Sequence, residues 1–182
     1  MEFDLKNLSI AINEHLKSGK KLDTALDIIQ GYNGNDWKNY RKFSNISFKR
    51  NLVHIDDLCD IYVICWNNNQ QTPIHDHSSN GCILKILEGQ INEQLFTPDV
   101  KFIKQIVNKK GDVSYIDNDI GLHKVINGNN KTVSLHVYSP PLYKGNVYTG
   151  NGYNGNGYNG NGYNGNGYNG NIYNSNIYRN NG

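Results

Sequence analysis

Methionine occurs once, tryptophan twice, cysteine three times and proline four times in this chain of 182 residues. The three cysteines, Cys59, Cys65 and Cys82, are an odd number without the density of a disulfide-built secreted domain, so a disulfide framework is excluded and a reducing cytoplasm is the expected location. No apolar run approaches the roughly 20 residues that cross a bilayer, and the start has no basic stretch leading into an apolar one, so neither a membrane partner nor a signal peptide is expected. Acidic residues are missing altogether from 142 to 182, where Lys144 and Arg179 are the only formal positive charges. The net charge of +2 therefore belongs to that end. The neutral remainder offers no electrostatic reason to expect nucleic acid.

What is present divides the chain into three. Leu5, Leu8, Ile12 and Leu16 recur at helical spacing, Leu22, Leu26 and Ile29 repeat the pattern until Gly31, and Trp37, Tyr40 and Phe43 predict a third short helix from Asn35 or Asp36. Each is too short to stand alone and must pack on something larger. From about Ile61 the period changes to that of strands: Ile61 to Trp66, Cys82 to Leu87, Ile91 to Phe96, Phe102 to Val107, Val113 to Ile116 and Val133 to Tyr138, with Gly or Asn-rich turns between several of them. Many strands with short connections predict a sandwich or barrel. In the last strand Val133, Leu135 and Val137 form an apolar face, while Ser134, His136 and Tyr138 form a polar face suited to lining a cavity.

The chemistry concentrates at Pro73-Ile74-His75-Asp76-His77. On an extended strand His75 and His77 share a face, and a distant strand carrying His123 supplies a third imidazole. Three neutral nitrogens leave coordination positions open and suit Fe, Ni, Cu or Zn without choosing among them. Paired histidines on a strand are also found as ordinary hydrogen-bonded polar residues, and the spacing of the surrounding residues weighs against that reading. His15 and His54 show no convincing partners in the sequence, and Cys59 and Cys65 read as structural.

The stretch from His75 to Gly89 resembles the first cupin motif with Cys82 in place of its glutamate, and the region around Gly121, His123 and Asn127 resembles the second. The closer resemblance is to the cysteine dioxygenase family. It runs through Arg50-Asn51-Leu52-Val53, Ile64-Cys65-Trp66, Ile74-His75-Asp76-His77, Cys82-Ile83-Leu84-Lys85, Gly121-Leu122-His123 and Ser134-Leu135-His136-Val137-Tyr138-Ser139-Pro140-Pro141, roughly residues 1 to 145. The resemblance implies a mainly β fold, a small jelly-roll cupin barrel with short N-terminal helices packed on it. It also implies one ferrous iron per subunit on His75, His77 and His123, with L-cysteine oxidised by O2 to cysteine sulfinate and no flavin, nicotinamide or oxoglutarate. Arg50 would bind the substrate carboxylate, and because the related mercaptopropionate enzymes usually have Gln at that position, the resemblance favours cysteine over 3-mercaptopropionate. Cys82 and Tyr138 would be joined by a thioether, with Tyr138 also meeting substrate, and His136 would hydrogen-bond the tyrosine. Phe48 departs from the tyrosine of many animal-type members, and a cis bond is implied before Pro140. Two alternatives stand beside this reading: a dioxygenase for another small thiol such as 3-mercaptopropionate, and a noncatalytic cupin that binds a partner. The resemblance implies a monomer.

Tyr148, Tyr153, Tyr158, Tyr163, Tyr168, Tyr173 and Tyr178 recur every five residues in an Asn/Gly background. Glycine makes ordering costly and aliphatic residues are few, so residues 146–182 are expected to be a disordered low-complexity tail with a capacity for weak self-association. Removing the chain after about Lys144 is expected to leave fold and activity largely intact.

Overall fold

The computed structural model describes residues 3–149 and 152–153. Helix α1 (Leu5–Lys17) starts where Asp4 accepts a hydrogen bond from the Asn7 amide at 2.8 Å, and it buries Leu5, Leu8, Ile12 and Leu16. The second expected helix is split into a 3-10 turn at Leu22–Ala25 and helix α2 (Leu26–Gly31). The third is only a 3-10 turn, Asp36–Tyr40.

Eleven strands follow among the described residues: β1 (Lys49–Ile55), β2 (Asp60–Trp66), β3 (Ile74–His75), β4 (Cys82–Glu88), β5 (Gln90–Phe96), β6 (Phe102–Lys109), β7 (Val113–Ile116), β8 (Leu122–Asn127), β9 (Thr132–Tyr138), β10 (Val147–Thr149) and β11 (Gly152–Tyr153). They form two antiparallel sheets, ordered β1-β2-β9-β4-β7 and β11-β10-β3-β8-β5-β6. The strand region thus begins at Lys49 rather than Ile61, and β1, β3, β8, β10 and β11 join the six strands expected from the change of period.

Alternation gives each face of the first sheet a separate task. Ile61, Val63, Cys65, Ile83, Val133, Leu135 and Val137 point outward and bury the apolar stripes of the helices. Tyr62, Ile64, Trp66, Leu84 and Ile86 point inward and meet Ile91 and Val125 of the second sheet. The expected division of β9 holds, and the polar face of Ser134, His136 and Tyr138 lies on the inner side. Lys85 sits on the helix side, where its ammonium donates to the Ile29, Gln30 and Tyr32 carbonyls at 3.1, 2.8 and 2.7 Å and satisfies the orphan end of α2.

The Ser139–Pro140 bond is cis. Beyond it the chain turns back so that β10 pairs antiparallel with β3, Val147 opposite His75 and Tyr148 opposite Ile74. The segment read as low-complexity tail therefore opens with a strand of the second sheet. The expectation of disorder for the rest of it falls on residues outside those described. Among the described residues no helix is long and apolar enough to cross a membrane.

Candidate metal centre

Three elements bring the histidines together inside the barrel. His75 on β3 and His123 on β8 are cross-strand partners, with ring centroids 4.5 Å apart. His77 lies beyond the end of β3, so it does not share a strand face with His75 by simple alternation. The Asn118 side chain places it instead: the amide oxygen accepts from the His77 N–H and the amide nitrogen donates to its C=O, both at 2.8 Å. The His77 ring is 4.4 Å from that of His123 and 5.4 Å from that of His75. One ligand atom from each of the three residues falls within 4.8 Å of the others, and all three side chains are buried.

Their hydrogen bonds define what they present. The Pro73 carbonyl, 3.0 Å from His75 Nδ1, can only accept, so Nδ1 carries the proton and Nε2 a lone pair. Glu93 Oε1 stands 2.7 Å from His123 Nδ1 and fixes that ring in the same way. The two Nε2 atoms then face one another at 3.1 Å. Both nitrogens of His77 are buried without a hydrogen-bond partner among the described residues. A proton would satisfy one facing pair and leave His77 orphaned, whereas a metal ion satisfies all three rings at once. Burial, followed by the proximity of His123, pushes His75 and His77 well below the usual histidine range, so both are neutral as ligands must be.

Glu93 is the functional residue that motif reading missed. It is 2% exposed, and its other oxygen accepts from Asn108 Nδ2 at 2.9 Å and Ser114 Oγ at 3.3 Å. Burial alone would raise its carboxyl, but the bonds from His123, Asn108 and Ser114 outweigh that and hold it below the usual range. A carboxylate behind a histidine fixes the ring and raises its basicity as a ligand. The signal was available: in Ile91-Asn92-Glu93-Gln94-Leu95, Glu93 falls on the apolar side of the alternation.

The opposite wall comes from the first sheet. Trp66 Nε1 donates to Ser134 Oγ at 2.9 Å, and Ser134 lies 2.8 Å from His136 Nε2. With the serine hydroxyl donating to Nε2, His136 carries its proton on Nδ1 and donates to the Tyr138 oxygen, 3.3 Å away. Burial, aided by the charge of Arg50, pushes His136 down to about 3. Cys82 is the cross-strand partner of Tyr138, and burial pushes its thiol up. The Arg50 guanidinium lies 4.2 Å from the Tyr62 ring centre and 4.9 Å from that of Tyr138. Phe48 stacks on Trp66 with centroids 4.4 Å apart. Phe48, Arg50, Cys82, His136 and Tyr138 thus gather on the inner side of the first sheet.

A second group, His54, Asp56 and Cys59, also has its donor atoms close together. Here the carboxylate is already engaged: Asp56 Oδ1 accepts from the Leu58 and Cys59 amides, and Oδ2 from Asn13 and His54. His54 therefore has a partner that the sequence did not reveal, and the group closes the turn between β1 and β2. His15 bonds the Lys21 carbonyl and Thr24 hydroxyl.

A two-sheet barrel of this kind is a cupin, and its three converging histidines form a candidate metal centre. Solved structures agree on the fold: a Klebsiella pneumoniae protein with a double-stranded β-helix domain is 16% identical with TM-score 0.52, over 60% of this chain and 86% of that one. A Bacillus halodurans protein is 18% identical with TM-score 0.51, over 62% and 83%. The family model for cysteine dioxygenase type I matches residues 11–151, and the chain belongs to that family. Cysteine dioxygenase type 1 of Danio rerio is 35% identical over 127 residues, 63% of each chain. The Homo sapiens protein of the same name is 36% identical over 115 residues, 58% of each. The chain thus matches less than two thirds of the length of these relatives.

Proposed function

We propose that this chain is a thiol dioxygenase that oxidises L-cysteine with O2 to cysteine sulfinate at a ferrous iron held by His75, His77 and His123. The observation that carries the proposal is the meeting of three buried imidazoles whose ligand atoms lie within 4.8 Å of one another: the hydrogen bonds at Nδ1 of His75 and His123 leave Nε2 with the lone pair, and both nitrogens of His77 are unpartnered among the described residues. Bound iron supplies the electron chemistry that O2 needs to react with a closed-shell thiolate.

The chain's own groups bind and orient. Arg50, steadied between the Tyr62 and Tyr138 rings, offers a planar fork of donors to the cysteine carboxylate. The same anchor would serve any small thiol that carries a carboxylate, and the preference for cysteine rests on the family resemblance, whose mercaptopropionate members usually have Gln at this position. Tyr138, with its oxygen accepting from His136 Nδ1, has its hydroxyl hydrogen turned away from that ring and donates to the substrate. Ser134 and Trp66 hold His136 in the tautomer this requires. The buried walls exclude water from the reacting atoms and shorten the list of side reactions.

Cys82 and Tyr138 face one another across β4 and β9, which supports a thioether between Sγ and a ring carbon beside the phenol. The S–H and C–H bonds break, the C–S bond forms, and the two protons and two electrons released go to O2. The free, buried cysteines favour a reducing cytoplasm. A monomer fits this reading.

The test is O2 uptake by the ferrous-loaded protein offered L-cysteine or 3-mercaptopropionate, with each sulfinate measured. A clear preference for cysteine supports the proposal. Preference for 3-mercaptopropionate overturns the substrate assignment.

A further inference from the structure

Asp76 separates two of the three ligands and is only 8% exposed, yet nothing assigned so far to the site uses it. Its carboxylate accepts four hydrogen bonds, all from the short segment after the cis proline. Oδ1 takes the Tyr143 hydroxyl at 2.5 Å and the Asn146 amide at 2.6 Å. Oδ2 takes Asn146 Nδ2 at 2.7 Å and the Tyr148 hydroxyl at 3.1 Å. The Asp76 N–H in turn donates to the Asn146 carbonyl at 3.3 Å, and Val147 pairs with His75 in the β10–β3 ladder.

Four donors on one carboxylate define its position far better than chain connectivity does, and charge-assisted bonds are the stronger kind. Gly145 permits the approach, since a Cβ there would stand 3.2 Å from the Asp76 carbonyl oxygen. The backbone from His75 to His77 is then gripped at three points: His75 between β8 and β10, Asp76 by Asn146 and the two tyrosines, and His77 by Asn118. β3 has only two residues, so without β10 little of its own pairing would hold the spacing of the two ligands.

We propose that residues 143–148, the root of the Asn/Gly/Tyr repeat, form a strap that sets the geometry of His75 and His77 through Asp76. Asn146 and Tyr148 are positioning residues of the metal centre although neither reaches the ion. The inference rests on the metal-centre reading above. It reverses the expectation that the chain is dispensable after Lys144. The boundary that matters for metal binding lies beyond Tyr148, and Asn146-Val147-Tyr148 is the first copy of an Asn-x-Tyr unit that recurs six more times downstream.

The test is titration of the metal-free protein with Co(II), read as affinity and as the visible absorption band of the bound ion, alongside thermal unfolding of the metal-free form. The proteins are the full chain, Asn146→Ala, Tyr148→Phe, and chains ending after Lys144 or after Tyr153. Loss of a partner that orients metal ligands lowers affinity about 10–100-fold, which is expected for Asn146→Ala, with a shifted Co(II) band and a smaller loss for Tyr148→Phe. The chain ending after Tyr153 should match the full chain. If the truncation after Lys144 does not fold, the two point variants still decide. Unchanged affinity and band shape in both point variants overturn the strap, as does an equal loss in the chain ending after Tyr153. Failure of the full chain itself to bind Co(II) removes the metal-centre reading and this inference with it.

Discussion

Exchanging Glu93 for glutamine separates the charge behind His123 from the shape of the side chain. The carboxylate accepts from His123, Asn108 and Ser114 at 2.7, 2.9 and 3.3 Å, so alanine would strand several buried donors, whereas glutamine keeps the volume and one acceptor oxygen. A hydrogen bond to a charged group contributes about 1.5–3 kcal/mol and a neutral one about 0.5–1.5, so the exchange costs roughly 1–1.5 kcal/mol at the bond itself. It also lowers the basicity of His123 as a ligand, and together these predict metal affinity about 10–100-fold weaker. The Glu93 pKa is depressed in the folded state, so its contribution to stability is complete above the unfolded value of about 4.3 and is lost as pH falls through the lower folded value. The stability difference between Glu93→Gln and the unaltered chain should therefore be constant from pH 7 to about 5 and shrink below about pH 4. Chelator competition gives the affinity, and urea unfolding of the metal-free proteins gives the pH dependence. Affinity within twofold of the unaltered chain would refute the argument that Glu93 tunes His123.

Three further outcomes are expected. His136 is held neutral in the folded state down to about pH 3, whereas the unfolded side chain takes up a proton near pH 6.5. Metal-free His136→Gln should consequently lose stability between pH 6 and 4 less steeply than the unaltered chain, by about 1.4 kcal/mol per pH unit, and parallel curves would contradict the buried neutral imidazole. Lys85→Met removes three hydrogen bonds to the carbonyls at the end of α2 and should destabilise the fold by about 1–3 kcal/mol without altering metal affinity, as read by urea unfolding and Co(II) titration. After aerobic turnover with iron and cysteine, peptide mapping should find the Cys82 and Tyr138 peptides joined and about 2 Da lighter than their sum; two separate peptides would count against the thioether.

The parts of the site that were legible in the sequence obey local rules. Alternation in β9 separated Val133, Leu135 and Val137 from Ser134, His136 and Tyr138, and the helical spacing of Leu5, Leu8, Ile12 and Leu16 was read from periodicity alone. What escaped is set by contacts distant along the chain. β1 carries Lys49, Arg50 and His54 among its apolar residues and lacks the continuous apolar signal of β2, while β3 is two residues long and exists only because β8 and β10 flank it. Glu93 meets His123 across 30 residues, and Asp76 meets Tyr143, Asn146 and Tyr148 across about 70. The expectation that the chain after about Lys144 is dispensable rests on an Asn, Gly and Tyr composition that resembles a linker. The two side-chain donors at Asn146 and Tyr148 acquire meaning only against a carboxylate supplied by another strand.

In the proposed reaction both atoms of one O2 molecule end on the thiol of cysteine, and His75, His77 and His123 would hold the iron that this chemistry needs. The most direct measurement is turnover of the ferrous-loaded full chain with L-cysteine under 18O2, with mass spectrometry of the product. Cysteine sulfinate carrying two labelled oxygens is expected from the unaltered chain and not from His77→Ala. Sulfinate with one label or none, or labelled product that forms equally well without iron, would contradict it.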